Sequence, residues 1–147
     1  MSAVKDKLIE MLNRALELEH AARIQYLAHA ELVKGLCSEP IVERLKEIAS
    51  DEQKHEEIFR TLIGAYLGGK PSMKIEKTYE ADKIEKILEV NLKGEKDAID
   101  YYRQIYRFIV DNKGEFPYEF ERFEHQVRHV IMDEEEHVVE LSNLLGK

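Results

Sequence analysis

The sequence predicts an all-α protein, a bundle of four long helices with a long crossover between the second and third. Three observations carry this. Apolar residues recur at alternating steps of three and four in four separate stretches, the mark of a helical core seam. Only seven Gly and three Pro occur among 147 residues, which leaves room for long uninterrupted helices. The connections are short, long and short in turn, so two helical hairpins are joined by a segment able to run the length of the bundle.

The first helical run covers residues 3–34 and is ended by Gly35. Ser38 and Pro40 start the second, as a cap and a first-turn proline. It reaches Leu67 and stops at Gly68-Gly69-Lys70-Pro71. A polar stretch, residues 72–79, follows. The third run starts near Ala81 and ends at Asp111-Asn112-Lys113-Gly114. The fourth starts near Pro117 and continues to Leu145. The whole chain, residues 1–147, reads as one domain, since the length suits one core and not two.

The formal net charge of −8, without a basic tail, argues against nucleic acid, which needs clustered Lys and Arg. No apolar run is long enough to span a membrane, and the N-terminus has no signal-peptide core, so a cytoplasmic protein is expected. The single cysteine, Cys37, excludes an intrachain disulfide and any Cys-x-x-Cys site; it reads as a residue beside a turn.

The four seams read Leu8, Leu12, Ala15, Glu19, Ala22, Tyr26, His29, Val33; then Ile41, Leu45, Ile48, Glu52, His55, Phe59, Leu62, Tyr66; then Ile84, Leu88, Asn91, Glu95, Ala98, Tyr102, Ile105, Ile109; then Phe120, Phe123, Val127, Val130, Glu134, His137, Leu141, Leu144. Each is mostly apolar but carries a glutamate near its middle, and the second and fourth add a histidine three residues later. At 1.5 Å per residue, Glu19 and Glu52 stand roughly 24 and 20 Å from the first turn, and Glu95 and Glu134 roughly 26 and 27 Å from the second. Each hairpin thus sets its two glutamates at one level. Four carboxylates facing each other in a dry core are very unfavourable, no Lys or Arg lies on the seams, and divalent cations remove the conflict. The expected ligands are Glu19, Glu52, His55, Glu95, Glu134 and His137, one Glu from each of two helices and a Glu-x-x-His from each of the others. Iron or manganese suits mixed carboxylate and imidazole donors, and zinc also fits.

The two halves resemble each other. Glu19 to Tyr26 parallels Glu95 to Tyr102, and Asp51-Glu52-Gln53-Lys54-His55 parallels Asp133-Glu134-Glu135-Glu136-His137, so one metal per half is expected. Asp51 and Asp133 are placed to accept the other imidazole N–H of the ligand histidines. Tyr26 and Tyr102 could hydrogen-bond near the site, although such tyrosines are often core residues with a satisfied hydroxyl. Small Ala22 and Ala98 could leave space for an oxidant beside the metals. His29 reads as a hydrogen-bonded core histidine. Glu17 with His20, and likewise His125 and His129, lie off the seams and read as solvated surface.

These residues resemble the ferritin-like di-iron carboxylate proteins, the bacterioferritin, rubrerythrin and Dps-like branch, over nearly the whole chain. The resemblance implies two irons and oxidation of Fe(II) by oxygen or hydrogen peroxide. It differs from rubrerythrins in lacking the four cysteines of a rubredoxin-like module, so a peroxidase would need an external electron donor. Asn91 stands where rubrerythrins tend to carry a further third-helix glutamate, which favours six ligands; a bacterioferritin-like register would instead make Asn91 a ligand. Gln53 stands where bacterioferritins carry the haem-binding methionine, so no haem is expected. A homo-oligomer, dimer or larger, follows from the same resemblance. The expected function is a non-haem di-iron oxidoreductase of the ferroxidase or peroxidase type. The competing readings are an iron-storage cage subunit, a non-catalytic metal-binding bundle and a metal-free interaction domain, the last of which strands four seam glutamates.

Overall fold

The computed structural model describes residues 2–147; residue 1, the first of the expected domain, lies outside them. Four helices form the bundle, α1 (Ala3–Ala30), α2 (Ser38–Thr61), α3 (Ile84–Asp111) and α4 (Phe120–Leu145), and the described residues contain no strand. The first two helices pack as one hairpin and the last two as the other, with α1 against α3 between them. No helix is long and apolar enough to cross a membrane.

The Ser2 hydroxyl accepts the backbone N–H of Lys5 at 3.1 Å and starts α1, a cap worth about 1 kcal/mol. The helix ends at Ala30, before the expected Lys34, because Glu31 and Leu32 bond back to carbonyls three residues earlier and tighten the last turn. Gly35 then takes φ 104° and Cys37 φ 66°. Cys37, not Ser38, occupies the cap position of α2, and its side chain makes no cap bond. Pro40 falls in the first turn, where a missing N–H is harmless.

The end of α2 differs from the expected seam. A single π turn, Leu62–Tyr66, adds a residue to the last turn, with Leu67 N–H donating to Leu62 O at 3.0 Å. The stripe shifts by one: Ile63 and Leu67 are buried, whereas Tyr66 is 43% exposed. Similarly, the expected Leu144 of α4 is exposed, and Leu145 packs against the core. Helices α3 and α4 each start about three residues after the expected points; a 3-10 turn, Lys113–Glu115, and the buried Phe116 fill the second hairpin's loop.

The crossover is laid along α1 by side chains of that helix. Asn13 donates to Lys70 O and accepts from Ser72 N–H, and Glu17 accepts from the Ser72 hydroxyl at 2.6 Å. His20 Nδ1 donates to Lys74 O at 2.7 Å, Gln25 accepts from Tyr79 N–H, and His29 Nε2 donates to Tyr79 O. The expectation that Glu17 and His20 are solvated is therefore corrected. His20 is buried under the crossover, where its N–H satisfies a backbone carbonyl that no secondary structure reaches.

The apolar core is two clusters. One, at the end holding Leu8, Leu12, Phe59, Phe116 and Phe123, is rich in aromatic rings; the other holds Leu45, Ile48, Ile87, Leu88 and Leu141. The polar residues of the seams lie between them.

Candidate metal centre

Each helix contributes to this polar layer from its middle, where the seam turns inward. Glu19, Glu52, His55, Glu95, Glu134 and His137 are all buried and come together. Two overlapping groups form. Glu19, Glu52, His55 and Glu134 offer ligand atoms within 4.8 Å of one another, and so do Glu52, Glu95, Glu134 and His137. Glu52 and Glu134 are common to both. His55 Nδ1 lies 3.5 Å from Glu19 Oε1, 3.3 Å from Glu52 Oε1 and 3.2 Å from Glu134 Oε1. His137 Nδ1 stands in the matching place, 3.3 Å from Glu95 Oε2 and 3.2 Å from Glu134 Oε1.

The surrounding groups are crossed between the hairpins. His55 Nε2 donates to Asp133 Oδ2 and His137 Nε2 to Asp51 Oδ2, each at 2.9 Å. Each aspartate therefore orients the histidine of the opposite hairpin, not the one that follows it in sequence. Tyr102 OH donates to Glu19 Oε1 at 2.7 Å and Tyr26 OH to Glu95 Oε1 at 2.8 Å. The tyrosines thus hold the two unshared glutamates, again across the pair. Asn91 does not join the cluster. Its amide accepts from Gln25 Nε2 and donates to His29 Nδ1 and Ile87 O, so its hydrogen-bonding capacity is used. His29 is the bonded core histidine that the sequence predicts; burial lowers its pKa, and the Tyr79 carbonyl opposes the shift.

Four buried side-chain atoms among the described residues have no hydrogen-bond partner: Glu19 Oε2, Glu52 Oε1, His55 Nδ1 and Glu134 Oε1. All four belong to the cluster. Orphaned buried groups of this kind are costly; all four lie in the group of Glu19, Glu52, His55 and Glu134, where a cation would satisfy them, while Glu95 Oε2 and His137 Nδ1 of the other group bond each other at 3.3 Å. With Nε2 of both histidines directed to aspartates, Nδ1 is the nitrogen presented to a metal.

Without a cation the centre holds protons. Burial drives the pKa of Glu19 and Glu52 up, with Glu134 adding to both. Glu95 is pushed up to about 8 by burial and by Glu134. Burial opposes charge on His55 and His137, but the facing carboxylates outweigh it and raise both imidazoles. Burial would raise Glu134 as well; the imidazoles of His137 and His55, each 3.2 Å away, reverse this and hold it low. Glu52 and Glu134 occupy equivalent places and titrate as a coupled pair.

A cleft of about 380 Å³ leads to this layer between α1 and α3. Ala22, Gly94 and Ala98 line it, Glu19 and Glu95 lie at its floor, and Glu76 and Tyr79 of the crossover form part of its wall. The small residues noted in the sequence thus stand beside the site.

Residues 9–147 match the family model of the ferritin-like domain, so the chain belongs to the ferritin-like family. Solved structures agree in fold and in class. A ferritin-like di-iron carboxylate protein of Bacillus anthracis strain Ames is 26% identical, with a TM-score of 0.90 over 99% of each chain. A bacterioferritin of Rhodobacter capsulatus, described with a metal-free dinuclear site and haem iron, is 27% identical with a TM-score of 0.84, covering 96% of this chain and 84% of that one. A Desulfovibrio desulfuricans bacterioferritin with a di-iron site is 26% identical with a TM-score of 0.86, covering 97% and 80%. No curated protein sequence matches the chain.

Proposed function

We propose that the protein is a non-haem di-iron oxidoreductase that binds two irons in the bundle core and oxidises Fe(II) with peroxide or oxygen. The observation that carries this is the pair of overlapping buried carboxylate–imidazole groups that share Glu52 and Glu134, the first of them holding four unpartnered atoms. Likeness to di-iron carboxylate proteins and bacterioferritins supports iron over manganese or zinc, which the same donors could hold.

In this reading Glu19 and His55 would hold one cation and Glu95 and His137 the other, with Glu52 and Glu134 available to both. Two irons held in this way supply paired one-electron oxidations, enough to reduce one peroxide to water. The protein's own residues do the rest. Asp133 and Asp51 fix the imidazoles with Nδ1 inward. Burial raises the pKa of Glu19, Glu52 and Glu95, so cation binding at this site would be coupled to proton release. Tyr26 and Tyr102 each hold one oxygen of an unshared glutamate; the other oxygen of Glu19 is unpartnered and that of Glu95 faces His137 Nδ1 at 3.3 Å. The cleft lined by Ala22 and Ala98 gives a small oxidant a path to the centre. Gln53 is exposed and offers neither thioether nor imidazole, so the reading includes no haem.

The test is to load the anaerobic apoprotein with Fe(II), then add hydrogen peroxide or, separately, oxygen, following the near-ultraviolet oxo-ferric absorption. Two irons oxidised per chain, with the rate cut at least about 100-fold in Glu52→Ala and Glu134→Ala, is the expected result. A strong preference for peroxide assigns a peroxidase needing an external electron donor. Uptake far beyond two irons assigns storage, the role that the likeness to bacterioferritins favours as a second reading. Binding with no acceleration over free iron leaves a non-catalytic metal site and removes the enzyme.

A further inference from the structure

Four of the six histidines are buried: His20, His29, His55 and His137. The other two, His125 and His129, are exposed and stand one turn apart on α4. Their ring centroids are 4.2 Å apart, with planes inclined by 42°. The sequence reading leaves them as solvated side chains, and nothing in the metal centre uses them.

We infer that His125 and His129 form a second metal site, a two-imidazole chelate on the outer face of α4 for a late first-row divalent cation such as Cu2+ or Zn2+, completed by water. Imidazoles at i and i+4 share a helix face, and the helix has already fixed their backbones in place. Bonds of about 2.0–2.1 Å to one cation need the two donor nitrogens roughly 3 Å apart, which rings at this separation reach by small rotations. Imidazole is a borderline donor, and affinity for such a pair rises towards Cu2+ in the order of the divalent series. The charges nearby allow it. The row Glu121, His125, His129, Asp133 places a carboxylate one turn before and one turn after the pair. Of the two arginines three residues from His125, Arg122 lies over the Tyr66 ring and Arg128 is engaged by Glu124 at 2.6 Å, its contact with His125 Nδ1 being a long 3.4 Å. The site is independent of the core reading, because its donors are different and face solvent.

The untagged full-length protein on an immobilised Ni2+ chelate tests this directly, since a matrix-bound ion reaches only exposed imidazoles. The protein should be retained, should elute at lower imidazole as His125→Ala or His129→Ala, and should flow through as His125→Asn/His129→Asn. In solution, either single substitution should weaken Cu2+ binding at least about tenfold, the advantage of a second tethered donor. The double variant should keep its thermal stability and its core metal stoichiometry, which separates this site from the buried one. Flow-through of the unsubstituted protein overturns the proposal. So does equal retention of the single variants, which would mean that one imidazole suffices.

Discussion

The two hairpins are near copies at the metal centre and unlike each other around it. At the centre each contributes a glutamate, a Glu-x-x-His, an aspartate and a tyrosine, and each tyrosine and aspartate serves the other hairpin. Outside it, α1 carries His20, Gln25 and His29 where the parallel positions of α3 carry Lys96, Tyr101 and Ile105. The difference follows from the chain's path. The helix side chains that bond the crossover's backbone come from α1. The repeat therefore preserves what two cations would demand from both halves, and diverges where just one half has a neighbour to hold.

The crossed aspartates give the sharpest way to break the symmetry. Asp133→Ala and Asp51→Ala should each weaken metal binding by about 10- to 100-fold, the usual cost of losing an imidazole's outer partner. A double-mutant cycle should show strong coupling of Asp133 with His55 and near-additivity of Asp51 with His55. Coupling of Asp51 with His55 would mean that each aspartate serves its own helix.

The protons kept by the metal-free centre act on both halves. The folded-state pKa values of Glu19, Glu52 and Glu95 are raised, so above about 4.5 the unfolded chain gives up protons that the folded chain retains. The raised His55 and His137 act in the same direction above about 6.5. The unfolded state then binds fewer protons, and stability falls as pH rises. Lowered Glu134 and Asp133 act below this window, and lowered His29 opposes it. Apoprotein melting temperature should therefore decline from pH 5 to pH 8, and saturating metal should flatten or reverse the trend. An apoprotein that gains stability over this range would refute the protonated centre.

The unlike part of the comparison can be removed by itself. His29→Ala deletes the bond to Tyr79 O and strands a donor of Asn91, which should cost about 2 kcal/mol in chemical denaturation. Amide exchange should quicken in residues 72–80 while metal stoichiometry stays at its original value. Smallest of the effects, Cys37→Gly should stabilise by about 1 kcal/mol, because a left-handed backbone costs a cysteine what it does not cost glycine. Loss of stability in that variant would point to a contact that the turn geometry does not show.

The buried polar cluster is legible in the sequence because burial and chemistry conflict there: a glutamate on an otherwise apolar stripe needs a reason. The cross-hairpin pairing is not, since Asp51 precedes His55 at the same spacing that Asp133 precedes His137, and spacing cannot say which histidine lies closer in space. His20 is misread because its burial comes from the crossover, a segment without periodicity. Tyr66 is misplaced because one extra residue in a π turn rotates everything after it; Ile63 and Leu67, apolar and four apart, were the signal of the shifted stripe. Helix ends drift by about three residues where Glu119 and Lys83 occupy cap positions and make no side-chain cap bond that a sequence motif could reveal.

Crystals grown metal-free and soaked anaerobically in Fe(II), with anomalous differences collected at the iron edge, test the central claim. Two peaks per chain are expected, one among Glu19, Glu52, His55 and Glu134, the other among Glu52, Glu95, Glu134 and His137. A single peak, or full occupancy elsewhere with this layer empty, would contradict a two-metal centre built on shared Glu52 and Glu134.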